Sequence, residues 1–164
     1  MIENGKIEGV KVKILKVWKD NPDLEQADVE PGIFMEVLRD DDNLLLKFGQ
    51  SNFTIADKGT IKAFHWHEYQ DDLWFLASGR AAIVLYDQRE DSSTKGQTEV
   101  IYGGQDDYKL VLIPIGVVHG YKVLSDEPCM LFYHVTKHYT ADNADELRID
   151  PFDKEINFDW NKLK

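Results

Sequence analysis

The sequence predicts an all-β domain built as a double-sheet jelly roll, and three observations carry that expectation. Short apolar runs, several alternating with period two, recur along the chain; turn residues separate them at short spacing; and helical periodicity is almost absent. With 164 residues, 43% of them apolar and 12% aromatic, the chain can bury one proper core, so residues 1–164 are expected to form a single domain rather than a disordered chain.

Taken in order, residues 9–18 alternate as a strand with Val10, Val12 and Ile14 on one face and lysines on part of the other. Asp20 to Pro31 reads as a polar loop closing on Pro-Gly, and Ile33 to Leu38 as the next strand, with Phe34 and Glu36 sharing a face. After a charged turn, Gln50, Asn52 and Thr54 fall on alternate positions, which suits either a solvated strand face or the hydrogen-bonding wall of a ligand pocket. Gly59 to His67 then concentrates the ionisable chemistry: His65 and His67 lie two apart, so on a strand both imidazoles face the same way. Strands are expected at 73–78 and 80–87, hinged on Gly79, then, beyond a charged surface loop at 88–97, at 98–102, 109–114, 119–124 and 129–135. Ala141 to Arg148 is expected to supply a short C-terminal helical tail. The 129–135 strand is apolar on both faces, which points either to a central strand covered by the tail or to a subunit interface.

Composition excludes several function classes. The formal charge of −11, from 30 acidic against 19 basic side chains, opposes nonspecific binding to nucleic acid or anionic membranes, although a local Lys/Arg cluster could still hold a phosphate. No apolar run approaches the roughly 18 residues of a membrane span, so no membrane partner is expected. The N-terminus carries no export pattern, and a cytoplasmic protein is expected. The single cysteine, Cys129, sits in an apolar run and reads as a buried hydrophobe. His134 and His138 read as structural or exposed.

Gly59, five residues, His65-Trp-His67, four residues, Asp72, six residues, Gly79, and later Pro114-Ile-Gly116-Val-Val-His119 resemble the two motifs of the cupin superfamily, double-stranded β-helix barrels in which two histidines, a carboxylate and a distant histidine can hold a divalent metal. Three imidazoles with a carboxylate suit Fe, Mn, Ni or Zn, so His65, His67, Asp72 and His119 form an alternative metal set. Asp72 stands where the first motif has Glu, and Val123 where the second ends in Asn.

A more specific resemblance spans nearly the whole chain. Gly32-Ile-Phe34-Met-Glu36, Phe48-Gly-Gln50-Ser-Asn52, Gly59-Thr-Ile-Lys62-Ala-Phe-His65-Trp, Ile113-Pro-Ile-Gly116-Val-Val-His119-Gly-Tyr121, Leu124-Ser-Asp126, the Tyr133/Tyr139 spacing and Ile156-Asn-Phe-Asp-Trp160 are similar, in this order, to segments of dTDP-4-dehydrorhamnose 3,5-epimerases. The resemblance implies a metal-free cupin homodimer that uses no cofactor and inverts C3 and/or C5 of a nucleotide-diphosphate-linked 4-keto-6-deoxyhexose. It implies His65 as base, Asp153 or Asp150 as the aspartate that orients it, and Tyr133 as acid. It also implies His119 and Lys62 beside the enolate oxygen or diphosphate, and Gln50, Asn52 and Tyr139 on nucleotide or sugar. Phe34 and Glu36 would reach in from a second subunit. Several positions depart from the family pattern. Lys62 and Pro31 replace arginines, Asp72 falls near a family lysine, and His67, a further candidate substrate contact, replaces a glutamine. Two rivals follow from these departures, a metal-dependent cupin enzyme and a non-catalytic sugar-nucleotide binding relative.

Overall fold

The computed structural model describes residues 1–19 and 32–164. The polar loop expected at Asp20 to Pro31 therefore lies outside the described residues. Among the described residues thirteen strands run in order: β1 (Ile2–Asn4), β2 (Lys11–Ile14), β3 (Trp18–Lys19), β4 (Ile33–Phe34), β5 (Gln50–Ala56), β6 (Ile61–Trp66), β7 (Asp72–Ser78), β8 (Arg80–Asp87), β9 (Thr98–Gly104), β10 (Lys109–Ile113), β11 (Val117–Val123), β12 (Cys129–Val135) and β13 (Leu147–Arg148). They pair antiparallel into a six-stranded sheet of order β1-β2-β10-β7-β12-β5, a five-stranded sheet of order β13-β6-β11-β8-β9, and the small β3-β4 pair. Among the described residues no helix is long and apolar enough to cross a membrane.

The core follows from the period-two pattern. Trp74 and Leu76 of β7 and Leu131 of β12 turn inward from the larger sheet to meet Ile83 and Leu85 of β8 and Tyr121 and Val123 of β11. Between Ala81 and Tyr86 strand β8 is a continuous apolar run because both its faces are covered: Val84 packs outward with Phe64 and Val118 against Ile156 and Trp160 of the C-terminal segment. Gly79, at φ +66°, carries the chain from β7 in one sheet to β8 in the other; there a Cβ would meet the Cys129 backbone at 2.8 Å.

Four expectations need correction. The 9–18 strand is interrupted after Ile14; Val10 and Val12 join the core, Ile14 is exposed, and Lys13 is buried because its ammonium pairs with Asp42 and with the carbonyls of Glu36 and Val37. The 33–38 strand shrinks to Ile33–Phe34, paired with β3. The helical tail reduces to single 3-10 turns at Ala141–Asn143 and Trp160–Lys162, and Leu147–Arg148 instead adds an edge strand beside β6. Finally, the tail covers the smaller sheet and not β12, which leaves Phe132 exposed with Phe53 and Ile55 beside it.

Candidate active site

The site is set by an irregularity in β6. His65 pairs with His119 across β6 and β11, whereas Lys62 pairs with Tyr121, so three steps on β6 match two on β11. This bulge brings Lys62 and His65 to the same cavity, which residues three apart on a regular strand could not share. Gly120 is what admits it, since a Cβ there would lie 2.3 Å from the Ala63 Cβ and 2.8 Å from the Lys62 carbonyl oxygen.

The cavity, about 690 Å³, lies between the sheets. Lys62, His65 and Tyr121 enter it from the smaller sheet, Thr54, Trp74 and Tyr133 from the larger, and residues 146, 148 and 150–151 close one side. An adjoining recess of about 220 Å³ is lined by Gln50, Asn52, His67, Asp72, Tyr139 and Asp145. His65, Tyr133 and Glu146 line both spaces and so mark their junction. The alternate polar positions of β5 are thus a pocket wall: Gln50 and Asn52 bond each other at 2.5 Å, and Gln50 Oε1 accepts from the Tyr139 backbone N–H.

Burial, reinforced by the neighbouring His119, pushes the His65 imidazole down to about 2, so it stands neutral. Asp72 is 2% exposed. Burial alone would raise its carboxyl, but the facing imidazoles of His119 and His67 and the Trp74 indole N–H outweigh that and hold it at about 2. Burial raises the Tyr133 phenol, with Asp72 and Glu146 adding to the shift, and raises Tyr121 to about 12; both keep their protons. The Tyr121 hydroxyl is buried with no hydrogen-bond partner among the described residues.

Not every expected residue reaches the cavity. His119 is 1% exposed and backs His65, ring centroids 4.2 Å apart, instead of lining the space. Asp153, expected beside His65, faces a separate outer groove with Tyr86 and Glu155, because its carboxylate accepts from the backbone N–H groups of Glu155 and Ile156. Asp150 does line the cavity, with Oδ1 held by the Phe152 N–H. Phe34 stacks near Trp18 at 5.8 Å and Glu36 pairs with Arg39, both outside the cavity of their own chain.

Thr54, Trp74, Tyr121, Glu146 and Arg148 line the cavity and escaped the sequence reading as site residues. Thr54 carried a signal in its alternation with Gln50 and Asn52, and Trp74 in standing two residues beyond Asp72. Glu146 and Arg148 carried none, because a two-residue strand is too short to show a period. His65, His67, Asp72 and His119 also converge, each offering one ligand atom within 4.8 Å of the others, and could hold a metal ion.

Comparison with known proteins places this arrangement among related chains. The family model described as dTDP-4-dehydrorhamnose 3,5-epimerase matches residues 7–164. The Bacillus subtilis spore coat polysaccharide biosynthesis protein SpsL is 50% identical over 155 residues, covering 94% of this chain and 97% of that protein. The probable low-salt glycan biosynthesis epimerase Agl13 of Haloferax volcanii is 33% identical, covering 85% and 90%. Among solved structures, the Legionella pneumophila dTDP-6-deoxy-D-glucose-3,5-epimerase in complex with dTDP-4-keto-L-rhamnose superposes with a TM-score of 0.81 at 26% identity, covering 98% of this chain and 82% of the other.

Proposed function

The chain belongs to the dTDP-4-dehydrorhamnose 3,5-epimerase family, a family of isomerases, and from that premise we propose that it inverts C3, C5 or both of a nucleotide-diphosphate-linked 4-keto-6-deoxyhexose. The observation that carries the reading is that His65 and Tyr133 enter one cavity from opposite sheets. A carbon next to the 4-ketone loses its proton to a neutral nitrogen of His65, and the electron pair of the broken C–H bond moves into the enolate. Tyr133 delivers a proton to the other face of the same carbon. Water at the cavity mouth then returns a proton from the His65 imidazolium to the tyrosinate, restoring both groups.

The surroundings suit the charges that develop. The Asp72 carboxylate, in the same cluster, favours an imidazolium on His65. Tyr121 offers an unpaired O–H to the enolate oxygen. Lys62 and the exposed Arg148 give the diphosphate two cations at one cavity, despite the chain's negative sum. Gln50, Asn52, His67 and Tyr139 contact nucleotide or sugar from the recess. The exposed apolar face of Phe53, Ile55 and Phe132 supports a homodimer, with Phe34 and Glu36 serving the partner's cavity.

The test is proton exchange in D2O with dTDP-4-keto-6-deoxyglucose and EDTA-treated protein. Deuterium is expected at C3 or C5 with the wild type and not with His65→Ala. Tight binding of 4-keto sugar nucleotides without any exchange would overturn the reading in favour of a binding protein.

A further inference from the structure

The cavity wall that carries Glu146, Arg148 and Asp150 is a strap, residues 145–151, laid along the edge of β6. Leu147 pairs with Trp66 and Arg148 with His65, and Ile149 exchanges backbone bonds with Phe64 at 2.9 and 3.0 Å. Glu146, Arg148 and Asp150 fall on alternate positions, and all three line the cavity. Packing does not place the first two. Their side chains are 44% and 82% exposed and bond each other at 2.6 Å, so where they stand follows from where the strap's backbone stands.

At its far end the strap is fixed by burial: Ile156 and Trp160 are core residues, and the Trp160 indole N–H donates to the Pro151 carbonyl at 2.8 Å. At its near end Asp145 makes the attachment. Asp145 Oδ1 accepts the Glu68 backbone N–H at 3.0 Å, Oδ2 accepts the Tyr69 N–H at 2.9 Å, and the Asp145 carbonyl accepts from His67 Nδ1 at 2.5 Å. Three successive residues of the turn between β6 and β7 thus bond one aspartate. Two neighbouring N–H groups need two acceptors side by side on a short stem, and a carboxylate binds them more strongly than a neutral oxygen would. The turn itself is a fixed post. Gly116 N–H donates to the His67 carbonyl at 2.9 Å and Ile115 N–H to Asp71 Oδ1 at 3.0 Å, while Asp71 N–H donates to Thr136 Oγ1 at 2.8 Å. What the Asp145 bonds hold in place is therefore the strap.

We propose that Asp145 is a positioning residue: it clamps the 145–151 strap to the 67–69 turn and, through Arg148, sets the cavity's affinity for the diphosphate end of its substrate. The effect on affinity rests on the epimerase reading; the clamp itself does not. His65 and Tyr133 are seated independently of it, by the pairing of β6 with β11 and of β12 with β5 and β7. Arg148 meets the substrate away from the carbon that reacts. A displaced strap therefore weakens ground state and transition state alike, which raises KM and leaves kcat nearly as it was.

The experiment joins amide hydrogen exchange of the full-length protein without substrate to kinetics on dTDP-4-keto-6-deoxyglucose. In Asp145→Ala the Glu68 and Tyr69 amides are expected to exchange about tenfold faster than in the wild type, and the Ile149 amide of the strap to follow them. KM is expected to rise about tenfold with kcat within about twofold. Asp145→Asn, which keeps one acceptor oxygen, should fall between the two in both measurements. In an Arg148→Ala background, Asp145→Ala should raise KM by less than about a further twofold, because a clamp that acts through Arg148 has nothing left to position. An Ile149 amide unchanged in Asp145→Ala would overturn the clamp. A loss confined to kcat, or KM effects that multiply in the double variant, would overturn its action through Arg148. A wild type that turns over no 4-keto sugar nucleotide would remove the epimerase reading and the effect on KM with it, while the amides would still decide the clamp.

Discussion

Two buried aspartates, Asp72 at the start of β7 and Asp87 at the end of β8, show what separates a structural carboxylate from a functional one. Asp87, 0% exposed, is saturated by its own loop. Arg89 forks onto both its oxygens at 2.9 and 2.8 Å, and the Ser92 and Thr94 hydroxyls each donate to Oδ2 at 2.6 Å. These bonds hold its carboxyl below the usual range although burial works the other way. Asp72 is as deeply buried but, among the described residues, accepts from two neutral donors, Gln70 and Trp74, with two imidazoles standing off at 3.6 Å. One carboxylate closes a surface loop from 87 to 97; the other is held open toward a site.

The comparison breaks most sharply in activity. His65→Ala is expected to lower solvent exchange by about 10²–10⁴, the usual worth of a general base, while Asp87→Ala leaves exchange per folded molecule unchanged; NMR of the sugar nucleotide in D2O measures both. Stability should show the reverse. Asp87→Asn leaves Arg89 without its counter-ion and is expected to cost about 3 kcal/mol in urea unfolding, whereas Asp72→Asn, which strands no lysine or arginine among the described residues and keeps an acceptor for the Trp74 indole, should cost less. Because the Asp87 carboxyl is depressed in the folded protein, its contribution is complete above the unfolded value of about 3.9 and is lost as pH falls below it. The stability gap between wild type and Asp87→Asn should therefore close at acid pH.

The strands that carry both aspartates were legible in the sequence because alternation and turns mark any strand that buries one face, and β8 showed as a continuous apolar run because it buries two. The convergence of His65, His67, Asp72 and His119 was expected from the resemblance of their spacing to the cupin motifs. Other features depend on contacts that leave no periodic trace. Polar residues near 141–148 resemble a helix, yet Leu147 and Arg148 take backbone partners on the free edge of β6, which carries Arg148 to the cavity. Counting back from Trp160 selected Asp153 and the Asp-Pro dipeptide selected Asp150; with Ile156 and Trp160 as buried anchors, only Asp150 faces inward.

Smaller effects sharpen the contrast between the site and its frame. Gly120→Ala, with its Cβ driven onto Ala63, should cost about 1–3 kcal/mol and also weaken exchange, because it disturbs the bulge that seats Lys62 and His65 together. Arg148→Ala, at an exposed edge, should leave stability unchanged and raise KM for the sugar nucleotide about tenfold, with little change in kcat.

The central claim is that two side chains act on one carbon from opposite walls of the cavity, and Tyr133→Phe tests it most directly. With metal-stripped protein in D2O, the variant should still exchange the proton that His65 removes but return deuterium to the same face, giving labelled sugar of unchanged configuration. Inversion at the wild-type rate by Tyr133→Phe would contradict the account.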